Sequence, residues 1–320
     1  MKRKINRVGQ NTLTVSLPTK WVKKIGIKQG DELDIFEEGR NLTIGVGNKR
    51  KKIKNATINI DNFNKMMVNR FFHEFYRQGI EKIVVKFSQN EITNYKKNKK
   101  TRIDKHIKKL IERFIGMEIT SQSSNQIIIE TLISNEEYQK IDVVKNRIFF
   151  LIKEFLEEFL IYIDKDFSKF HEISYDYHDN ISKFISYYMR LLHFSDIPRE
   201  KRARLFGLFI IVDKVIDKLR HTSERINTTK KVSTLTKNYL KEIFDQFILQ
   251  FDIILKKNFS RNDLNLIIKL RYDLFSRFNK EKFTINELRI LSECYLILDT
   301  IVDFSETYVA MNMERFVDDY

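Results

Sequence analysis

From about Ile141 to Tyr320 the sequence holds long helical periodicity with almost no glycine or proline, and no other feature constrains the fold as strongly. Apolar residues recur at Ile148, Leu151, Ile152, Phe155, Leu156, Phe159 and Leu160, and again at Tyr239, Leu240, Ile243, Phe244, Phe247, Ile248, Phe251 and Leu255. Steps of three and four residues line one face of a helix. The pattern predicts six helices, near 141–165, 168–193, 199–225, 229–257, 262–279 and 284–317. Short connections favour antiparallel neighbours, hence two three-helix units over 141–226 and 227–320. An internal repeat points the same way. Phe209-Ile210-Ile211-Val212-Asp213-Lys214-Val215-Ile216-Asp217 aligns with Tyr295-Leu296-Ile297-Leu298-Asp299-Thr300-Ile301-Val302-Asp303, with Leu205 over Leu291. Duplicated sequence of this kind indicates duplicated helical units. The aromatics Phe149, Phe150, Phe155, Phe159, Phe206 and Phe209 are expected in the bundle core.

The first 140 residues read differently. Alternating Leu13-Thr14-Val15-Ser16-Leu17 predicts a strand, and Pro18 suits the first turn of a short helix carrying Trp21, Val22 and Ile25 on one face. Gly26 is the expected stop. Strands are predicted over 32–36 and 42–44, with a turn at Glu38-Gly39-Arg40-Asn41 between them. A β-α-β-β module of this size, over residues 1–47, buries little alone and would be expected to dimerise. A basic linker, Lys49-Arg50-Lys51-Lys52, leads into a small α/β segment over 48–140. There the pattern predicts strands at 56–60, 83–85, 117–120 and 126–130, with helices over 63–78 and about 102–115. The run Lys96-Lys97-Asn98-Lys99-Lys100-Thr101-Arg102 reads as a solvated basic loop.

Charge divides along the same line. The 320 residues carry 58 Lys plus Arg against 43 Asp plus Glu, a net +15. Residues 1–54 hold 14 basic and 5 acidic side chains, residues 55–140 hold 15 and 10, and residues 141–320 hold 29 and 28, giving +9, +5 and +1. The excess belongs to the first 140 residues. Composition excludes other classes: 42% hydrophobic residues suffice for real cores, so a disordered tail is excluded. A single cysteine, Cys294, allows no internal disulfide and no thiolate metal site, so an intracellular, cytoplasmic setting is expected. The basic start Met1 to Arg7 lacks an apolar h-region, so a signal peptide is not expected. The greasiest stretches, 148–163 and 205–219, are interrupted by charge and predict no membrane span.

Residues Arg7 to Ile44, with Val-Ser-Leu-Pro-x-x-Trp-Val at Val15 to Val22, Gly26-Ile27-Lys28 and Gly30-Asp31-Glu32-Leu33, resemble the SpoVT/AbrB swapped-hairpin DNA-binding domain in its archaeal form. The resemblance covers about the first 47 residues. It implies an interleaved homodimer whose basic face meets DNA, and Arg3, Lys4, Arg7, Lys20, Lys23 and Lys24 are the residues this chain offers for phosphate contact. The alternative is that these are solvated charges on a module that only dimerises.

In both repeat copies one Asp follows another by four residues, so two carboxylates project from one side of a helix about a turn apart. Like charges at that spacing need compensation. A cation could supply it, and so could Lys or Arg from a neighbour. Two three-helix units with Asp213/Asp217 and Asp299/Asp303 in their third helices resemble the PhoU phosphate-uptake regulators, whose E/D-x-x-x-D motifs bind metal clusters. The resemblance covers about residues 141–320 and implies Mg, Mn, Ca or iron at those edges, with Asp176 and Asp179 as partners in the first unit and mainly Asp273 in the second. The six histidines, His73, His106, His171, His178, His193 and His221, form no ligand spacing, although His221 lies four after Asp217. No nucleophile-and-base pair and no glycine-rich phosphate loop appears, so enzymatic activity is not expected. The expected function is a DNA-binding regulator of phosphate uptake and homeostasis. The alternative is an adaptor without a DNA role that docks on a phosphate transporter or sensor protein.

Overall fold

The computed structural model describes residues 2–38, 41–46, 55–132, 140–165, 167–195, 197–229, 232–254 and 259–317. The turn at Gly39 and Arg40, the linker run Lys49 to Lys52 and Leu255 lie outside them. The chain forms two compact units, residues 1–53 and 54–320.

In the first unit β1 (Ile5–Val8) pairs antiparallel with β2 (Thr12–Val15), Ile5 opposite Val15 and Arg7 opposite Leu13. Gly9 turns the hairpin at φ 68°, where a side chain would be strained. Strand β1 was not expected, because Ile5-Asn6-Arg7-Val8 reads simply as a polar basic start. Helix α1 (Thr19–Ile25) begins after Pro18 and is closed by Gly26 in the left-handed conformation. Strands β3 (Leu33–Glu38) and β4 (Asn41–Val46) form a second antiparallel hairpin.

The second unit opens with an α/β layer. Strand β5 (Asn55–Asn59) runs parallel to β6 (Lys82–Lys86), joined through α2 (Lys65–Arg77). Strands β7 (Glu91–Asn94) and β8 (Lys99–Arg102) form a separate hairpin that leads into α3 (Ile103–Ile111). Strands β9 (Met117–Gln122) and β10 (Gln126–Thr131) complete a four-stranded sheet in the order β5-β6-β10-β9. The basic run at 96–102 is therefore not wholly a loop. Lysine is a poor strand former, but the pairing of Asn94 with Lys99 and the burial of Ile92 and Asn94 hold the hairpin against that preference. The Asn64 side chain caps α2 by accepting from the N–H groups of Met66 and Met67. Val68, Phe72 and Tyr76 of α2 are fully buried, as are Ile83, Val85, Ile127 and Ile129 of the sheet, one on every second strand position.

Six helices follow among the described residues, making the chain mainly helical: α4 (Ile141–Tyr162), α5 (Phe167–Phe194), α6 (Arg199–Thr228), α7 (Thr234–Ile254), α8 (Arg261–Phe278) and α9 (Ile285–Met311). α5 packs on α4 and α6, α9 packs on α7 and α8, and the two triplets meet where α6 lies along α9 and α4 along α7. Phe159 of α4 stacks on Phe244 of α7 with ring centroids 3.6 Å apart. Two helix starts are fixed by capping boxes, Ser260 with Asp263 and Thr284 with Glu287. Two ends differ most from expectation. α7 starts at Thr234, not 229, because Ser233 and Thr236 are held by the buried Glu287 of α9. α9 stops at Met311, where the chain tightens into a short 3₁₀ turn over Met313–Arg315. Phe155, Phe159 and Phe209 are core as expected, but Phe150 is 58% exposed, with the Arg147 guanidinium 5.3 Å from its ring centre.

The α/β layer is docked on the bundle through α2 and α5. Arg190 of α5, itself buried, donates to the carbonyls of Tyr76 and Ile80, each at 3.0 Å, and to Thr131 Oγ1 at 2.9 Å. Gly79, at φ 74°, lets Phe194 approach: a Cβ there would stand 2.5 Å from the Phe194 ring. Glycine is required at that point by both conformation and contact.

Candidate functional site

The first unit presents six exposed cations and two apolar hairpin faces, and one of the six, Arg7, sits on an apolar face. Arg3, Lys4 and Arg7 lie on and just before β1, and Lys20, Lys23 and Lys24 fall three and four apart along α1, opposite Trp21, Val22 and Ile25. All six are exposed, and among the described residues none has an ion-pair partner. Strand register places Ile5, Leu13 and Val15 with Arg7 on one face of the first hairpin, and Leu33, Ile35, Leu42 and Ile44 on one face of the second. These apolar faces are uncovered: Ile5 is 68% exposed, Leu13 66%, Ile35 61% and Leu42 64%. None of the residues of this unit whose burial is described is buried. A module of two hairpins and a two-turn helix without a core does not hold its fold alone, so a second surface must cover it.

The second unit shows what compensates the paired carboxylates. Asp213 accepts from Arg77 Nη2 at 2.9 Å and from Ser182 Oγ at 3.0 Å. Asp217 lies 2.8 Å from His178 Nε2, whose Nδ1 is 2.9 Å from Asp179, and Asp179 accepts from Arg113 at 2.8 Å. Three carboxylates thus face three cations along a seam joining α2, α3's C-terminal turn, α5 and α6. With an ionised carboxylate at each ring nitrogen, His178 must donate from both, which is the imidazolium. Burial opposes that charge, but bonds to Asp179 and Asp217 hold its pKa above the ordinary value. Burial also acts against Asp217, but the His178 bond together with the charges of His178, Lys214 and Arg220 holds that carboxyl low.

The second edge is built differently. Asp299 accepts from Arg271 Nε of α8 at 2.6 Å, whereas Asp303 and Asp273 are exposed without an ion pair among the described residues. In the first copy the position matching Arg271 is Ile185, fully buried in α5, and the cation comes instead from Arg77 of the α/β layer. Asp176 is exposed and joins no ion pair among the described residues. His221 is also apart from the edge, beside Glu224. Among the described residues no three His, Cys, Asp or Glu side chains come together so as to hold a metal ion. As arranged, Asp213, Asp217, Asp299 and Asp179 face guanidinium and imidazolium groups, so this donor set does not fit Mg, Mn, Ca or iron, and no chemistry is routed through a metal.

His73 borders this seam beside Ser186, and His106 is buried in α3 near Lys65. Burial, then Arg77 and Arg113, push His73 down to about 3, and burial with nearby Lys65 pushes His106 down to about 4. Both folded values lie below the ordinary 6.5. On acidification the unfolded chain takes up these protons first, so stability present above 6.5 is lost as the pH falls. The melting temperature of the full chain should therefore drop by roughly 5 °C or more between pH 6.5 and about 5, before most carboxylates protonate. A flat profile there would contradict the buried neutral histidines. His178 has the opposite sign: its contribution is complete below 6.5 and is lost as the pH rises through its raised value.

Residues 7–56 match the family model described as antidote-toxin recognition MazE, bacterial antitoxin. That match supports an AbrB-type N-terminal domain and covers the first unit from Arg7 onward, with Arg3 and Lys4 outside it. No curated protein and no solved structure matches the chain. No helix among the described residues is long and apolar enough to cross a membrane.

Proposed function

We propose that the chain is a DNA-binding regulator that acts as a homodimer through its first unit, and that its helical bundle is a PhoU-like relay for phosphate uptake. The observation that carries the DNA half is the first unit itself: six exposed cations, without an ion pair among the described residues, on a module with uncovered apolar hairpin faces, four of them (Arg7, Lys20, Lys23 and Lys24) inside the matched segment 7–56. Two copies joined by those faces, as in a swapped-hairpin dimer, would double the cationic set on one body, which is what phosphate neutralisation calls for.

The relay half rests on the duplicated three-helix architecture. In the second triplet Tyr272 and Phe275 of α8 are 60% and 49% exposed, whereas the matching face of α5 is covered by α2. A bare face of that kind favours docking on a partner such as a phosphate transporter or sensor protein, and the adaptor reading would keep this half alone.

Fluorescence anisotropy of the full chain on random-sequence duplex DNA decides between them. The regulator reading expects log affinity to fall linearly with log salt, by roughly one unit of slope per neutralised phosphate. Arg3→Ala with Lys4→Ala and Arg7→Ala should reduce the slope. Absence of binding at low salt would leave only the adaptor.

A further inference from the structure

A second cationic surface lies in the α/β layer. The N-terminus of α2 and the β7–β8 hairpin border a groove of about 550 Å³ lined by Asn64, Lys65, Arg70, Tyr95, Lys96 and Lys97 among others. Lys99 leaves the hairpin beside it, and Lys109 projects from α3. Of these cations Arg70, Lys96, Lys97, Lys99 and Lys109 are exposed, and among the described residues none of them, nor Lys65, has an acidic partner within ion-pair distance. The nearby acids are engaged elsewhere, Glu91 of the hairpin with Lys100 and Asp104 of α3 with Arg102. The crowding is sensed at Lys65, whose ammonium is disfavoured by partial burial and then by Lys97, Lys109 and Lys99.

Such a cluster is a cost to the isolated chain, since like charges repel and no carboxylate offsets them. A polyanion would offset it. Two further features fit a sugar–phosphate backbone. Tyr95 is 74% exposed at the hairpin tip, between Lys96 and the Asn94 position, and gives a flat aromatic surface amid the cations. Asn64, whose Oδ1 is taken up in capping α2, keeps its side-chain NH2 as a neutral donor at the groove.

We propose that this face of the α/β layer, Lys65, Arg70, Lys96, Lys97, Lys99 and Lys109, is a second phosphate-backbone contact, used on the same duplex DNA that the first unit binds. It rests on the DNA-binding reading above. It also accounts for the +5 carried by residues 55–140, which the first unit cannot explain. Base readout is not part of it, because lysines on a hairpin position a duplex without reporting its sequence.

The test is the salt dependence of binding by the full chain to random-sequence duplex DNA, comparing wild type, the Lys96→Gln, Lys97→Gln, Lys99→Gln triple variant, and the Arg3→Ala, Lys4→Ala, Arg7→Ala variant. The three lysines are exposed, so an unchanged thermal melt confirms that the variant is folded. Between about 50 and 200 mM salt the lysine variant should lose about 2 to 3 units of log–log slope per chain, with affinity at the low end reduced by roughly 10- to 100-fold. Loss of slope in both variants supports the inference. Loss only in the Arg3, Lys4, Arg7 variant overturns it while leaving the first unit's role intact, and would assign the lysine face to an acidic protein. Wild-type protein that ignores DNA at low salt overturns both.

Discussion

Replacing Arg190 by alanine is expected to cost about 3 to 5 kcal/mol of folding stability, because it strands one buried and two part-buried acceptors at once. The guanidinium reaches the Tyr76 and Ile80 carbonyls and Thr131 Oγ1, tying the end of α2, the following turn and the last sheet strand to α5. It also lies 5.0 Å from the Tyr76 ring centre and 5.6 Å from that of Phe194, so truncation removes packing as well as donors. Arg190→Lys should recover only part of the loss, since one ammonium cannot occupy both ends of the fork. Urea unfolding of the full chain measures this directly. A midpoint shift worth less than about 1 kcal/mol would mean that Arg190 does not hold the α/β layer to the bundle.

The second large effect is expected in the first unit. Leu13→Asp combined with Ile35→Asp places a carboxylate on the apolar face of each hairpin, at side chains now 66% and 61% exposed in the single chain. If a second copy covers those faces, each change removes roughly 1.5 to 3 kcal/mol of apolar burial and adds the desolvation of a charge. Dimer association should weaken by at least about 100-fold, which corresponds to about 2.7 kcal/mol. The melt of residues 54–320 should be unaffected, as those residues form their own compact unit. A variant that remains as dimeric as the parent at micromolar concentration would show that the hairpin faces are not the dimer contact.

The bundle was legible because periodicity is local. Steps such as Phe155, Phe159 and Ile163 report a helix face without knowledge of any partner, and all six helices lie where that pattern puts them. The ends were less legible. Glu287 reaches Ser233 across 54 positions, and no local rule foretells that α7 must wait for it. Strand β8 was hidden by composition, since Lys99-Lys100-Thr101-Arg102 resembles solvated coil until Ile92 and Asn94 of its partner strand β7 are seen to be buried.

The acidic edges show the same division. Their presence and their need for compensation could be read from spacing alone. The compensating groups could not: Arg77 and Asp213 are 136 positions apart, Arg113 and Asp179 are 66, and His178 and Asp217 are 39. His178 was discounted because histidine spacing was judged along the chain, whereas its two carboxylates arrive from its own helix and the next. The capping boxes Ser260 to Asp263 and Thr284 to Glu287 were present as sequence signals and would have sharpened two helix starts.

Sedimentation equilibrium of the full chain, with and without a short random-sequence duplex at low salt, tests the central claim most directly. A dimer built on the first unit and bound to DNA predicts twice the 38.6 kDa of one chain in the free state, and two chains per duplex in the complex, with the complex dissolving as salt is raised. A 38.6 kDa species whose sedimentation does not change on adding duplex would contradict it.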